Sequence, residues 1–145
     1  MGAHHPILEA VLRAEGPVRM TDRLATSLGG EVLSMDPDAG TAVVAFAPDE
    51  GFLQGGGVIH GGIVSTMLDY GLAMAGFTRI GQGRSFATVS LTTHFLRPVL
   101  PGRHLVKARL DRMGQSLIFA SGELTRDGHE DPLATGTAVL SVIRR

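Results

Sequence analysis

A single carboxylate stands within an otherwise apolar part of the sequence. Asp69 belongs to residues 62–79, which are apolar almost all the way round when they are drawn as a helix. A charged side chain is almost never fully buried without a partner, so something must offset the cost of placing one there. Either hydroxyls such as Ser65 or Thr66 satisfy Asp69 as a structural group, or it is a functional carboxylate that transfers a proton or attacks a substrate. We favour the functional role.

The sequence Gln-Gly-Gly-Gly-Val-Ile-His-Gly-Gly, residues 54–62, leads directly into that apolar segment. The first N–H groups of a helix have no partner within the helix and carry partial positive charge, and glycine lets a ligand come close to the backbone. An electron-rich carbonyl oxygen would fit there. A flexible loop with His60 as an ordinary capping residue is the simpler interpretation. The run matches neither the dinucleotide-binding pattern nor the P-loop.

The spacing of these two features limits how they can act together. Asp69 is seven residues after Gly62, which places it on the same helix face but about 10 Å further along the axis. One helix therefore cannot bring both groups to one carbonyl. If Asp69 acts together with the amides of Gly61 and Gly62, the groups must come from two antiparallel helices in two subunits related by a twofold axis.

The elements that position these residues are predicted from periodicity and turn residues. Residues 6–15 and 62–79 have the apolar spacing of helices, and residues 23–46 are β-like, with two apolar stretches around a Pro/Asp/Gly turn that indicates a hairpin. Residues 48–61 are predicted as a glycine-rich loop. A four-stranded meander is predicted over residues 86–95, 104–112, 116–125 and 132–143.

This order of elements predicts an α+β domain in which an antiparallel sheet wraps around one long central helix. A chain of 145 residues can bury a core without disulfides, which the absence of cysteine excludes. We expect one domain over residues 1–145, with residues 1–19 as an N-terminal helical extension. A sheet covered by a single helix leaves open edges, for which a homodimer with a continuous sheet is the natural solution.

Charge and composition argue against several classes of function. The net charge of −1 gives no global basic field for nucleic acid, and no apolar run approaches the ~20 residues needed to span a bilayer. We therefore expect neither nucleic-acid nor membrane partners, and the absence of cysteine fits a cytoplasmic location. The six histidines lack metal-ligand spacing, so we expect neither a metal nor a redox cofactor.

The basic residues are concentrated in the second part of the chain. Residues 81–145 contain nine basic and five acidic residues, a net charge of +4, against −5 for residues 1–80. Such an asymmetry can be an ordinary solvated face. It would also suit a small phosphate-bearing ligand, since guanidinium groups pair with phosphate in a bidentate manner. The candidate basic residues are Arg84, Arg97, Arg103, Lys107 and Arg109.

Two runs of the sequence resemble one known family. HGGIVSTMLDYGLAMA at residues 60–75 and ATVSLTTHFLRP at residues 87–98, followed by an apolar meander, resemble the hotdog-fold acyl-CoA thioesterases, in particular the PaaI-like group related to phenylacetic-acid thioesterase. The resemblance covers roughly residues 20–143. It implies an α+β hotdog fold and hydrolysis of an acyl-CoA with an aromatic or medium-chain acyl group, without a cofactor. It also implies homodimers, which we expect to pair into a dimer of dimers.

The resemblance further implies roles for individual residues. In this family a helix-start glycine amide polarises the thioester carbonyl, and a helical acid of the partner subunit activates water or attacks the carbonyl. These positions correspond to Gly61 and Asp69. His60 would shape the carbonyl site, Gln54 would orient the water or the carboxylate, and Thr88 would hold the water. The candidates for substrate binding are Gly62, Ser65, Arg84, Arg97 and Arg103.

Other chemistries fit the sequence less well. Ser65, His60 and Asp69 contain the elements of a hydrolase triad, but Ser65 lies inside a predicted helix without a G-x-S-x-G elbow. A hotdog hydratase or dehydratase acting on acyl thioesters is one open alternative. A non-catalytic acyl-CoA-binding module, which would not need Asp69, is another. The acyl group is also open, because the aromatic and methionine side chains available for its pocket are more often plain core.

Overall fold

An antiparallel sheet surrounds one buried helix in the computed structural model, which describes residues 3–144. The helices are α1 (Pro6–Arg13), α2 (Arg23–Ser27) and α3 (Gly61–Phe77), with a 3-10 turn at Glu50–Phe52. The strands are β1 (Val18–Arg19), β2 (Glu31–Asp36), β3 (Thr41–Phe46), β4 (Arg84–Phe95), β5 (His104–Met113), β6 (Leu117–Arg126) and β7 (Pro132–Arg144).

Helix α3 is the centre of the core, which confirms the predicted buried helix. It is apolar on nearly every side, and Leu68 and Leu72 are fully buried against the sheet. A Cβ on Gly71 would lie 2.3 Å from Val106 Cγ1, so glycine at this position lets α3 approach β5 closely. The predicted range is 62–79, so the helix begins one residue earlier than predicted, at Gly61, and ends two residues earlier, at Phe77. Within residues 3–144, neither α3 nor any other helix has both the length and the apolar character needed to cross a bilayer.

The strand order of the sheet is β1-β2-β3-β5-β6-β7-β4. The predicted hairpin is confirmed, because β2 pairs with β3 in an antiparallel manner. The predicted four-stranded meander is wrong. Strands β5, β6 and β7 form a meander, but β4 pairs with β7 and not with β5. The chain passes along α3 before it enters β4, so this strand joins the far edge of the sheet and β5 pairs back to β3.

Residues 23–27, predicted as β-like, form helix α2 instead. The Oδ2 atom of Asp22 accepts the Ala25 N–H at 3.2 Å and caps this helix. Gly29 follows it in the left-handed conformation, with φ 64°, which ends the helix. Two local capping signals therefore outweigh the apolar pattern over these five residues.

The N-terminal segment, predicted as a helical extension of the domain, packs against the core. Leu8 of α1 is fully buried, and α1 ends at Arg13, two residues before the end of the predicted range 6–15. Strand β1 pairs with β2, so the sheet already begins within the predicted extension 1–19. Residues 1 and 2 of that extension lie outside the described part of the chain.

Candidate active site

Asp69 lines a cavity between α3 and β4. Its Oδ1 atom accepts a hydrogen bond from Thr88 Oγ1 at 2.8 Å, and Oδ2 has no hydrogen-bond partner among residues 3–144. The cavity has a volume of about 530 Å³. Most of its other lining residues are apolar, namely Met20, Leu24, Ala73, Met74, Phe77 and Phe86. The half-buried carboxylate thus presents one free oxygen at the wall of a mainly apolar space.

The two hydroxyls considered as structural partners of Asp69 are engaged elsewhere. Ser65 Oγ donates to Thr93 Oγ1 at 3.0 Å, and Thr66 Oγ1 donates to the carbonyl of Gly62 at 2.8 Å. The interpretation of Asp69 as a group satisfied by Ser65 or Thr66 is therefore wrong. Ser65 does not line the cavity of Asp69.

A β-bulge turns Thr88 towards Asp69. Thr88 and Thr93 are five residues apart, so in a regular strand their side chains would lie on opposite faces of the sheet. Both nevertheless bond to side chains of α3. The register of β4 against β7 shifts between Thr88 and Ser90, which leaves Val89 as the extra residue. The bulge thus allows one strand to direct both threonines at the same helix.

The start of α3 presents one available amide. Gly62 N–H donates to His60 Nδ1 at 3.2 Å, whereas the N–H of Gly61, the first helical residue, has no partner among residues 3–144. His60 is therefore the helix cap. Because its Nδ1 accepts this bond, the neutral ring carries its proton on Nε2. Of the two glycine amides predicted to act on a carbonyl, the one that stays available is that of Gly61.

A second cavity, of about 360 Å³, lies beside Gly61. Gln54 and Arg97 also line it. The ring of Phe95 lies over Gly61, with its Cζ 3.3 Å from the place that a Cβ would take. The Oε1 atom of Gln54 accepts the N–H of Gly56, so this side chain is folded back onto its own loop and leaves its NH2 group for other partners.

The two cavities are separate within one chain. They share no lining residue, and Gly61 and Asp69 lie about 12 Å apart along the axis of α3. The structure therefore divides the predicted catalytic residues into two groups. We call Gln54, His60 and Gly61 the carbonyl half-site, and Asp69 with Thr88 the carboxylate half-site.

Arg103 is occupied by two carboxylates of its own chain. Its guanidinium contacts Glu31 at 2.8 Å and Asp127 at 2.9 Å. The hydrogen bond to Glu31, with smaller contributions from its charge and from Asp127, raises the pKa of Arg103 against a lowering effect of burial. This arginine joins β2 to the segment that links β6 with β7, so a phosphate would have to compete with both existing partners.

The other predicted basic residues are more available. Arg84 is exposed and pairs with no carboxylate among residues 3–144. Arg97 lines the cavity beside Gly61 and contacts Asp131 at 3.2 Å in an exposed pair. Lys107 and Arg109 lie away from both half-sites, along a groove of the sheet.

Tyr70 and Asp22 also line the cavity that contains Asp69, and no sequence pattern singled them out together. The Tyr70 hydroxyl donates to Asp22 Oδ2. Burial, supported by this hydrogen bond, raises the pKa of Tyr70 to about 12. The one sequence signal for Asp22 is its position as a helix cap before Arg-Leu-Ala, which says nothing about a tyrosine 48 residues away.

Comparison with known proteins identifies the family of this chain. Residues 56–133 match the Thioesterase superfamily. The solved structure of a phenylacetic acid degradation-related protein from Ralstonia eutropha JMP134 is 34% identical, with a TM-score of 0.80, over 92% of this chain and 98% of that chain. The chain belongs to the thioesterase superfamily. The matched region contains His60, Gly61, Asp69 and Thr88, so every residue of the two half-sites except Gln54 lies within the thioesterase-like part of the molecule.

Two further relatives support the same identification. The PaaI protein from the phenylacetic acid degradation operon of E. coli is 25% identical, with a TM-score of 0.75, over 85% of this chain and 86% of that chain. A Pseudomonas aeruginosa protein whose name suggests an esterase is 37% identical over 83 residues. That match spans 57% of this chain and 62% of the relative's length. The resemblance to PaaI-like thioesterases and the α+β hotdog fold are thereby confirmed.

Proposed function

We propose that this thioesterase hydrolyses an acyl-CoA to a free acid and CoA in a site shared by two subunits. The observation that carries the proposal is the carboxylate of Asp69, fixed by Thr88 and open on one oxygen to a mainly apolar cavity. Such a carboxylate can act as a general base on water or as a nucleophile on the thioester carbonyl. The amide of Gly61 at the start of α3 would stabilise the oxyanion that forms.

The edge strand β4 supports a shared site. Near one end Thr88 contacts Asp69, and at the other Phe95 lies against Gly61. The outer side of β4 has no partner strand within residues 3–144, and Val89 and Phe95 are 62% and 57% exposed. An edge strand of this length, open on one side, is a template for another strand. Antiparallel pairing with a second β4 would place the carboxylate half-site of one subunit against the carbonyl half-site of its partner.

The remaining candidates have supporting roles in this proposal. His60 fixes the start of α3 by capping Gly62, which leaves the Gly61 amide for the substrate. Gln54 offers an NH2 donor in the same cavity. Arg84 and Arg97 are the stronger candidates for the CoA phosphates, because Arg103 already has two carboxylate partners. Phosphate contacts at exposed arginines should weaken as ionic strength rises.

Release of thiol from a panel of saturated acyl-CoAs and phenylacetyl-CoA tests the proposal. We expect hydrolysis by the unaltered chain and a fall in kcat of about 10²- to 10⁴-fold in Asp69→Asn, the scale of a lost general base. Asparagine keeps the shape of aspartate and an oxygen that can accept from Thr88, so the melting temperature and the assembly size should not change. Asp38→Asn, in the exposed turn between β2 and β3, is the matched control.

Three results would overturn the proposal. Addition of water to an enoyl-CoA without thiol release would establish the hydratase alternative. Tight binding of acyl-CoA without turnover would establish a binding module. Full activity of Asp69→Asn would show that the carboxylate half-site takes no part in the hydrolysis.

A further inference from the structure

The N-terminal arm, which we define as residues 3–13, is fixed to the loop that joins α3 and β4. The carbonyl of Ala3 accepts the Gln82 N–H at 3.0 Å, and His4 forms an antiparallel bridge with Gly81. This loop follows the C-terminal end of α3, whereas the carbonyl half-site lies at its start. The arm is therefore attached at the end of the helix towards which the cavity of Asp69 extends.

An aromatic stack connects the arm to that cavity. The ring of His5 stacks on Phe77, with centroids 4.1 Å apart and an angle of 27° between the planes. Phe77 in turn contacts Phe86, with centroids 4.9 Å apart. Phe77 and Phe86 line the cavity, and His5 does not, so His5 acts on the cavity only through Phe77. Burial lowers the pKa of His5, against the smaller opposing effect of a hydrogen bond with the Arg84 backbone.

The position of Phe77 along α3 sets its distance from the carboxylate. Phe77 is eight residues after Asp69 on α3, which corresponds to about 12 Å along the helix axis. Ala73 and Met74 line the wall between them. A substituent attached to a carbonyl at Asp69 can therefore extend along this wall until it meets the aromatic rings.

Phe77 and Phe86 form what we call the aromatic end wall of the cavity. One of these rings is held by the helix and the other by the arm. A Cβ on Gly76 would lie 2.6 Å from Phe86 Cε2, so Phe86 lies directly on the helix backbone. Phe77 is partly exposed and has His5 stacked on it. Without the His5 ring, Phe77 gains space in which to rotate away from the cavity.

We propose that His5 is a specificity-determining positioning residue, which holds Phe77 in place and so limits the length of the acyl group that the cavity accepts. This inference rests on the proposed function, because it assigns the cavity of Asp69 to the acyl group. The substrate class it defines is that of aryl or aliphatic acyl groups that fit the roughly 12 Å between the carboxylate and the aromatic end wall. Longer aliphatic chains would collide with Phe77.

Two substitutions separate the stacking of the His5 ring on Phe77 from the role of His5 as the cap of α1. The Nδ1 atom of His5 also accepts the Ile7 N–H at 3.3 Å and caps α1. His5→Asn keeps a capping oxygen and removes the ring, whereas His5→Phe keeps a ring and removes the cap. Arg13→Ala, at the exposed end of α1, controls for general loosening of the arm. For each protein, kcat and KM are measured with saturated acyl-CoAs of increasing chain length and with phenylacetyl-CoA.

We expect His5→Asn to shift the preferred acyl length upward. For chains longer than the wild-type optimum, kcat/KM should rise about 10-fold, the effect of one methylene in an apolar pocket. The change should appear mainly in KM, since His5 does not touch the reacting atoms. His5→Phe and Arg13→Ala should keep the wild-type length profile, even where the melting temperature falls.

An unchanged profile in His5→Asn, or an equal shift in His5→Phe, would overturn the inference. The second result would assign the effect to the cap of α1 and not to the ring. Inactivity of the unaltered chain towards the whole series would overturn the proposed function, and this inference with it. An active unaltered chain whose profile does not depend on His5 would overturn this inference alone.

Discussion

The hydrogen bond from Thr88 to Asp69 decides how the carboxylate is presented. Because Thr88 donates to Oδ1, the lone pairs of Oδ2 are left for water or for the carbonyl carbon of a substrate. The bulge at Val89 is what turns Thr88 towards α3, so a local irregularity of the strand determines which oxygen of Asp69 stays open.

Thr88→Val tests this arrangement, because valine has nearly the shape of threonine but cannot donate. A hydrogen bond to a charged group contributes about 1.5–3 kcal/mol, so we expect kcat to fall at least about 10-fold. Thr88→Ser should keep most of the activity, and Thr92→Val, exposed on the same strand, is the control. In the Asp69→Asn background the Thr88→Val change should add little, since both act on one group. A wild-type kcat in Thr88→Val would show that the bond has no role in turnover.

At the scale of residues, the sequence reveals the groups that break a local pattern. Asp69 is a charge within an apolar helix, and Gly61 is a glycine where that helix begins. The bond of Thr88 to Asp69 joins residues 19 apart, and that of Tyr70 to Asp22 joins residues 48 apart. Periodicity holds no information on such contacts, so the sequence offers Ser65 and Thr66 as possible partners of Asp69, whereas their hydroxyls bond to Thr93 and to the Gly62 carbonyl.

Among the elements, α3 positions both half-sites, and Gly71 sets its distance from the sheet. Alanine in a helix interior is favoured over glycine by about 1 kcal/mol, but a Cβ at position 71 would lie 2.3 Å from Val106 Cγ1. Overpacking of this kind costs about 1–3 kcal/mol. We therefore expect Gly71→Ala to lower the free energy of unfolding.

Thermal or urea unfolding measures this effect. In the double variant Gly71→Ala/Val106→Ala the two losses should be less than additive, because the second change makes room for the first. Gly16→Ala, where no atom lies within 4 Å of the added Cβ, is the control. A Gly71→Ala protein as stable as the wild type would show that α3 can move away from β5 without cost.

His104 at the start of β5 predicts a pH dependence of stability. Its side chain is 2% exposed, and Nδ1 is paired with the Gly102 carbonyl at 2.8 Å. Burial, with a smaller effect of the Arg126 charge, lowers the pKa of His104 from its ordinary value of 6.5. His104 therefore binds a proton more readily in the unfolded chain than in the folded one. The stability contributed by neutral, buried His104 is complete above pH 6.5 and is lost as the pH falls towards the lowered pKa.

We expect the melting temperature to decrease on acidification below pH 6.5. The decrease should be smaller in His104→Gln, which does not titrate in this range. His5 has a lowered pKa as well, so His5→Phe measures its share of the same effect. Identical pH profiles for wild type and His104→Gln would refute the assignment to His104.

Local sequence patterns predict some helices and strands correctly but not the short helix α2 or the pairing of β4. The hairpin of β2 and β3 and the buried helix α3 follow from turn residues and from apolar composition. Helix α2 is five residues long, too short for a periodic pattern to identify. The pairing of β4 with β7 depends on the path of the whole chain, which strand alternation does not specify.

For the whole molecule, two features point to assembly: the outer side of β4 has no partner strand within residues 3–144, and the two half-sites are far apart within one chain. If Gly61 and Asp69 act on one carbonyl, helix geometry requires two chains, because the two lie eight residues apart on α3, about 12 Å along its axis. The strand that would join the chains could be located only from the sheet order, which places β4 at the edge. We therefore expect the active species to be a dimer, or a larger assembly that contains it.

Complementation between two inactive variants tests the shared site most directly. Asp69→Asn disables the carboxylate half-site, and Gly61→Val places a side chain against Phe95 and crowds the carbonyl half-site. Each protein alone should be nearly inactive. After subunit exchange, verified by native mass spectrometry, each heterodimer should regain up to half of the wild-type activity, because one of its two sites combines an intact Gly61 with an intact Asp69. A mixture that stays as inactive as both parents would show that the two groups do not act together across subunits.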